Sequence, residues 1–252
     1  RDARCSGTGR PYADRYRPQA GAADRQGAGL VRVLTHPENV APIVTVRPEL
    51  MVDELTPQTL KAALEWADVV AIGPGLGQRE WGRSALRTVE SFNKPMVWDA
   101  DALNLLGEHR SYIGRLPKGS ILTPHPKELE RLVGKCQNSY ERLTKACELA
   151  QSTGVHIILK GAYSAVITPE GKCWFNSTGN SGMATGGSGD VLTGVVLALL
   201  AQGYATETAA RLAAYVHGLA GDIARKKHGA MGMTAGDIVD CLPLAWRMLE
   251  EE

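Results

Sequence analysis

A glycine-rich segment that ends in a carboxylate is the strongest chemical signal in the sequence. Gly186, Gly187 and Gly189 precede Asp190, and the apolar run 191–200 follows directly. Unpaired N–H groups at the start of a buried helix, together with the helix dipole, form a binding site suited to phosphate. Because a carboxylate would repel a bound phosphate, we interpret Asp190 as a general base that takes a proton from a hydroxyl group about to accept a phosphoryl group.

Two further segments follow apolar runs and could face a ligand. The segment GPGLG (73–77) has three glycines in five residues, so its backbone N–H groups could approach a ligand closely, although a plain tight turn explains it equally well. The segment WDADALN (98–104) ends an apolar run with Asp99 and Asp101. These carboxylates either face a cleft or, in the case of Asp101, cap a helix over 102–106.

His125 and Lys160 end two other apolar runs. His125 stands between two prolines in LTPHPKELERL (122–132), and a helix is predicted to begin just after it. The prolines fix the backbone at this turn, which favours ligand contact by the histidine over a purely structural role. Lys160 closes the run in LKGAYS (159–164), where it either pairs with a phosphate or is solvated at a turn.

His217 and Asp222 are the remaining candidates considered. Both lie among small residues in VHGLAGD (216–222), within a predicted helix. We interpret them as core packing combined with a polar tie rather than as catalytic groups.

Short apolar runs alternate with helical patterns from Leu30 onwards, which predicts an α/β fold with a doubly wound, mostly parallel sheet and helices on both faces. Strands are predicted over 30–35, 50–55, 68–73, 95–101, 120–125, 156–161, 164–169 and 173–177. Helices are predicted over 56–67, 80–92, 191–203, 205–229 and 235–251, the first with Thr56 as its N-cap. Ligands of such sheets bind beyond the carboxyl ends of the strands, where the polar residues above are placed.

The composition excludes several classes of partner. Lys and Arg total 28 against 27 Asp and Glu in 252 residues, which gives no basic surface for nucleic acid or an anionic membrane. The five cysteines are widely spaced and odd in number, which argues against a disulfide framework or a zinc site. No apolar run is long enough to span a bilayer, and we expect a cytoplasmic protein.

Taken together, these motifs resemble a known enzyme family. The segment G-x-G-D at the start of a buried helix is similar to the ribokinase-like superfamily. Five motifs occur in the order of the ADP-dependent NAD(P)H-hydrate dehydratases, which the chain resembles from about Gly27 to its end: GPGLG, WDADALNLL, LTPHPKELERL, LKGAYS and NSGMATGGSGDVLTG. The resemblance implies a ribokinase-like fold and a lyase that converts (S)-NAD(P)H-hydrate back to NAD(P)H with ADP, releasing AMP and phosphate.

The resemblance also implies which residues act and what they bind. Gly77, His125 and Asp190 are expected to contact the hydrated dinucleotide, with Asp190 as the catalytic base. The adenine nucleotide is expected to contact Lys160, Gly161, Ala162, Tyr163, Ser164, Gly186, Gly187 and Gly189. ADP or ATP is the expected co-substrate, with Mg²⁺ bound mainly through phosphates and water rather than by protein ligands. A homotetramer is expected from the family.

The first 26 residues depart from the family pattern. The first 29 residues contain no Val, Ile, Leu, Met, Phe or Trp, whereas the family opens with a hydrophobic strand. The bias towards Arg, Gly and Ala is typical of a shifted reading frame or a non-native leader. We therefore predict a non-native or poorly ordered leader over 1–26 and a ribokinase-like dehydratase domain over 27–252.

Two other functions stay open at this point. One is a small-molecule kinase of the same fold, and the other is a nucleotide-binding remnant without activity. Many bacterial relatives carry an epimerase domain upstream of the dehydratase domain, and nothing in this sequence matches it.

Overall fold

The computed structural model describes residues 4–9, 22–23 and 27–251, and they form a nine-stranded sheet. The strands are β1 (Arg4–Gly9), β2 (Leu30–Thr35), β3 (Met51–Glu54), β4 (Val69–Ile72), β5 (Met96–Trp98), β6 (Ile121–Leu122), β7 (His156–Leu159), β8 (Ala165–Ile167) and β9 (Cys173–Phe175). Their order across the sheet is β3-β2-β1-β4-β5-β6-β7-β8-β9. All pairs from β3 to β7 are parallel, and β8 and β9 add an antiparallel hairpin at one edge. The predicted mostly parallel sheet is confirmed.

Helices connect the strands and cover both faces of the sheet. They are α1 (Pro37–Val46), α2 (Pro57–Trp66), α3 (Glu80–Val89), α4 (Ala100–Glu108), α5 (Pro126–Val133), α6 (Ser139–Thr153), α7 (Ser188–Ala201), α8 (Thr206–Gly232) and α9 (Ala235–Glu250). Two short 3-10 segments lie at Arg110–Arg115 and Ser181–Met183. Thr56 caps α2 as predicted, because its side chain accepts a hydrogen bond from the Thr59 N–H.

Two hydrophobic cores lie on opposite faces of the sheet. Alternate residues of β4 divide between them, with Val69 and Ala71 in the core under α7, α8 and α9 and with Val70 and Ile72 in the core under α2 to α6. Residues 191–199 of α7 are all buried, which explains why this helix is apolar on every side. No helix of the described chain is long and apolar enough to cross a membrane.

The strand β1 occupies a position for which the sequence predicted no strand. Its backbone pairs in parallel with both β2 and β4, with Cys5 opposite Val31 and Val69. A strand between two neighbours satisfies its N–H and C=O groups from both sides whatever its side chains are, so an apolar pattern is not required. Most of the predicted leader lies outside the described residues, and the domain boundary at residue 27 stays a prediction.

The carboxyl ends of the central strands lie next to one another. The backbone ladder runs one residue past each strand, since the Asp99 N–H donates to the Ile72 carbonyl at 3.1 Å and the Thr123 N–H to the Trp98 carbonyl at 3.0 Å. The Lys160 N–H likewise donates to the Pro124 carbonyl at 2.9 Å. Three segments that are far apart in sequence are thereby fixed at one edge of the sheet.

Candidate active site

A cavity of about 740 Å³ opens at this edge of the sheet. Its walls come from the segments after β5, β6, β7 and β9, from the start of α7 and from the middle of α8. The polar lining includes Asp99, His125, Glu128, Lys160, Ser164, Asn176, Thr178, Asn180, Ser188, Asp190 and His217. A volume of this size is within the range of small-molecule and cofactor sites.

The start of α7 forms one wall of the cavity. Gly187 is the N-cap with φ of 89°, a left-handed conformation that glycine adopts without strain. The helix begins at Ser188, three residues earlier than predicted, so Asp190 lies inside the first turn rather than before it. The Val191 N–H donates to the Gly187 carbonyl at 3.1 Å and closes the first turn, and the dipole of the helix favours an anion at its start.

Lys160 lies at the centre of a group of carboxylates. Its Nζ is 2.7 Å from Asp99 Oδ1 and 3.8 Å from Glu128 Oε2. Burial opposes the charge on Lys160, but Asp99, Glu128 and Asp190 outweigh it, so the pKa of Lys160 is raised above its ordinary value. The lysine is therefore an ammonium ion at neutral pH and a fixed positive charge in the cavity wall.

His125 caps the helix α5 and faces the cavity. Its Nδ1 accepts from the Lys127 and Glu128 N–H groups at 3.1 and 3.3 Å, while the Glu128 carboxylate accepts from the His125 N–H at 2.8 Å. Burial lowers the pKa of His125, although the Glu128 carboxylate acts in the opposite direction. Because Nδ1 is an acceptor, the proton of the neutral ring is on Nε2, which lies 3.3 Å from Glu128 Oε1.

The segment GPGLG packs against the segment that follows β5. The Gly77 N–H donates to Asp101 Oδ2 at 2.8 Å, and Gln78 Nε2 donates to Asp101 Oδ1 at 2.8 Å. Of the two alternatives for Asp101, the helix cap is not observed, since Asp99 is the N-cap residue of α4 and Asp101 lies in its first turn. Ala100, at the start of this helix, has a positive φ of 48°, the one such value among the described non-glycine residues.

Comparison with known proteins identifies the family of this chain. A family model described as NAD(P)H-hydrate dehydratase matches residues 19–244. The chain belongs to this family. The resemblance to the NAD(P)H-hydrate dehydratases that the sequence motifs indicated is confirmed.

Individual members of the NAD(P)H-hydrate dehydratase family give the same result. The bifunctional NAD(P)H-hydrate repair enzyme Nnr of Escherichia coli (strain K12) is 48% identical over 223 residues, which are 88% of this chain and 42% of that protein. A crystal structure of ADP/ATP-dependent NAD(P)H-hydrate dehydratase from Bacillus subtilis, co-crystallized with ATP/Mg²⁺ and soaked with CoA, is 28% identical with a TM-score of 0.82, covering 98% of this chain and 91% of that chain. A ribokinase-like superfamily protein from Enterococcus faecalis V583 is 27% identical with a TM-score of 0.81, covering 97% of this chain and 87% of that chain. The ribokinase-like fold is thus confirmed, and the chain spans less than half the length of the curated repair enzyme.

In this member of the NAD(P)H-hydrate dehydratase family, most of the predicted site residues line one cavity. Those in the lining are His125, Lys160, Gly161, Ala162, Ser164, Gly189 and Asp190. Gly77, Tyr163, Gly186 and Gly187 lie outside it. Gly77 is buried beneath Asp101, and the Tyr163 side chain is 72% exposed. The roles of all these residues stay predictions.

The structure tests the interpretation of His217 and Asp222 as core packing with a polar tie. His217 Nε2 lies 3.4 Å from Ser188 Oγ, so His217 lines the cavity rather than only packing the core. Asp222 does form the predicted polar tie, because its carboxylate accepts from the Gly179 N–H at 2.9 Å and from Asn180 Nδ2 at 2.8 Å. Sterics explain the glycine that follows His217, since a Cβ atom at Gly218 would lie 2.2 Å from Thr178 Oγ1.

His217 should make the fold sensitive to acid. Burial lowers its pKa from 6.5 to about 4, so the unfolded chain binds a proton in the window between these values and the native chain does not. Stability therefore falls as the pH drops through this window. When the pH is lowered from about 7.5 to about 5, the free energy of unfolding should decrease in both proteins. The decrease should be smaller in His217→Gln than in the wild type, by up to about 2 kcal/mol. Urea unfolding at both pH values measures this, and His125, whose pKa is also lowered, is common to both proteins. Equal losses in the two proteins would contradict the assignment.

The lining fits a magnesium ion that arrives with a nucleotide. No group of three metal-binding side chains occurs among the residues that the structure describes, so a protein cage is not available there. Glu128 and Asp190 nevertheless present carboxylates to the same cavity. Mg²⁺ prefers oxygen ligands and commonly binds through one or two carboxylates together with substrate phosphates and water.

Proposed function

We propose that the chain catalyses the ADP-dependent dehydration of (S)-NAD(P)H-hydrate to NAD(P)H, with release of AMP and phosphate. The observation that carries the proposal is the convergence, in one cavity, of the α7 helix start, the Lys160 ammonium and the Asp190 carboxylate. Family membership supports the substrate, and the resemblance of the motifs supports ADP as the phosphoryl donor.

The chemistry of the substrate explains why a kinase-like site suits a dehydration. Hydroxide is a poor leaving group, whereas a phosphate ester of the ring hydroxyl leaves readily. In the proposed sequence the ring hydroxyl attacks the terminal phosphorus of ADP and AMP departs. The ring nitrogen lone pair then expels the phosphate, and loss of a proton from the adjacent ring carbon restores the dihydropyridine.

Each part of the cavity wall has a role in this proposal. Asp190 removes the proton from the ring hydroxyl as the phosphoryl group approaches. The Lys160 ammonium and the first-turn N–H groups of α7 stabilise the charge that develops on the phosphoryl oxygens. His125, whose pKa burial lowers, contacts the dinucleotide from the cavity wall while its Nε2 faces Glu128. Mg²⁺ would be held mainly by the phosphates and water, with the Glu128 carboxylate on the cavity wall, and it would supply charge neutralisation.

The assembly and location of the protein are proposed from the same resemblance. We propose a homotetramer in the cytoplasm, acting on small molecules rather than on nucleic acid or membranes. The near balance of 28 basic and 27 acidic residues is consistent with small-molecule substrates, since no excess charge would recruit a polyanion.

A spectroscopic assay tests the proposed reaction. The protein is incubated with chemically hydrated NADH, ADP and Mg²⁺, and the near-ultraviolet absorbance of reduced nicotinamide is followed. We expect the absorbance to return only when protein and nucleotide are both present, because dehydration restores the conjugated ring. In a control, glucose, glycerol or hydroxymethylpyrimidine replaces the hydrate, and phosphorylation of one of these alcohols would favour the kinase alternative. No recovery with ADP or ATP, despite measurable nucleotide binding, would rule out the proposed reaction.

A further inference from the structure

Asp99 is a buried carboxylate, and each of its two oxygens accepts a hydrogen bond. Its side chain is 1% exposed, with Lys160 Nζ 2.7 Å from Oδ1 and Thr193 Oγ1 2.8 Å from Oδ2. Thr193 is itself fully buried, and it lies 94 residues from Asp99 in the sequence. A carboxylate this deep requires compensation for lost hydration, and a lysine plus a hydroxyl donor provide it.

The contact fixes a side chain that would otherwise be flexible. Lysine has four rotatable bonds in its stem and a compact charge, so it samples many positions when nothing holds it. Here the Lys160 ammonium lies beside the first turn of α7, where a Cβ atom at Gly189 would be only 3.2 Å from Nζ. The absence of a side chain at Gly189 therefore leaves the room that the ammonium occupies.

Thr193 connects this lysine to the helix that presents the N–H groups. Thr193 and Gly189 are four residues apart in α7, so they lie on the same face of the helix, one turn from each other. The chain of contacts runs from Thr193 through Asp99 to Lys160 and returns to the first turn beside Gly189. The helix start and the ammonium thus keep a constant separation.

We propose that Asp99 and Thr193 are positioning residues, which hold the Lys160 ammonium against the start of α7 so that both act on the same phosphate of a bound nucleotide. The proposal rests on the nucleotide site of the proposed function, but not on the dehydration step. Thr193 contacts no ligand in this account and acts only through Asp99 and Lys160.

ADP binding measured by calorimetry with Mg²⁺ present tests this role. Thr193→Val keeps the shape of the side chain and removes the hydroxyl, and it should weaken ADP binding about tenfold, the effect of losing a hydrogen bond to a charged group. Thr193→Ser restores the hydroxyl and should bind ADP within about threefold of the wild type. Thr168→Val alters a threonine that is equally buried but lies at the end of β8, and it should bind ADP like the wild type. Thermal melting of the three variants shows that each is folded.

The same substitution in a Lys160→Met background separates positioning from general packing. If Thr193 acts through the lysine, Thr193→Val causes no further loss of ADP affinity once the ammonium is gone. Wild-type affinity in Thr193→Val, equal weakness of the Val and Ser variants, or an unchanged loss in the Lys160→Met background would each overturn the proposal. A wild type that binds ADP but restores no NADH refutes the proposed reaction and leaves this test valid.

Discussion

Asp190→Asn should lower the turnover of hydrate dehydration by ~10²-fold or more, the usual cost of removing a general base. The asparagine keeps the size of the side chain but takes up no proton, so the ring hydroxyl attacks phosphorus without assistance. ADP binding should persist, because the N–H groups of α7 and the Lys160 ammonium are unchanged. Steady-state rates with saturating hydrate and ADP, together with calorimetric binding of ADP, separate the two effects.

Asp68→Asn is the matched control for this prediction. The Asp68 side chain is 56% exposed and lies just before β4, at the end of the strand remote from the cavity. The same chemical change there should leave turnover within about twofold of the wild type, because exposed charges contribute little to the site. If Asp190→Asn retains turnover within about threefold of the wild type, Asp190 is not the base.

Gly73→Ala should destabilise the fold by about 3 kcal/mol or more. A Cβ atom at Gly73 would lie 1.7 Å from the Asp99 carbonyl oxygen, and the φ of 132° at this position is strained for any residue with a side chain. Relief requires the backbone at Asp99 to move, which would also displace the partner of Lys160. The midpoint of urea unfolding measures the loss, and ADP affinity should fall in the fraction that remains folded.

Gly114→Ala provides the comparison for this second change. Gly114 is an exposed residue of the 3-10 segment Arg110–Arg115, and a Cβ atom there would meet nothing within 4 Å. The free energy of unfolding should change by less than about 1 kcal/mol. Equal stabilities of Gly73→Ala and Gly114→Ala would contradict the packing of GPGLG against the β5 segment.

The strand ends could be predicted from the sequence because each is a local signal. An apolar run that stops at Asp99, His125 or Lys160 marks a strand and its terminus without reference to the rest of the chain. Parallel strands align their carboxyl ends, so the prediction that these residues share one edge needed only the sheet type. The cavity at that edge follows from the same reasoning.

The partners within the cavity could not be predicted in this way. Lys160 and Asp99 are 61 residues apart, and Thr193 reads as one more small residue in an apolar helix. Their contacts depend on how α7 packs against the sheet, and no local sequence pattern predicts that packing. The position of Glu128 could have been predicted, because a capping box places an acidic side chain three residues after the helix N-cap.

Two helices begin earlier in the structure than the sequence indicated. The sequence allowed Asp101 as the cap of one helix, because acidic residues are frequent N-caps, and it placed the start of the other after Asp190, where the apolar run begins. In the structure both carboxylates lie in the first turn, and the caps are Asp99 and Gly187. Acidic side chains are also favoured in the first turn by the helix dipole, so the residue type alone does not separate the two positions.

In the proposed reaction the ring hydroxyl itself receives the phosphoryl group, and the fate of its oxygen atom tests this step. NADH hydrated in heavy-oxygen water carries the label on the ring hydroxyl, and it is then treated with the protein, ADP and Mg²⁺ in ordinary water. Mass spectrometry of the released phosphate should find one labelled oxygen for each NADH restored, because the carbon–oxygen bond breaks after phosphorylation. Unlabelled phosphate accompanying restored NADH would mean that ADP is hydrolysed by solvent water, and the account of Asp190 and its cavity would be wrong.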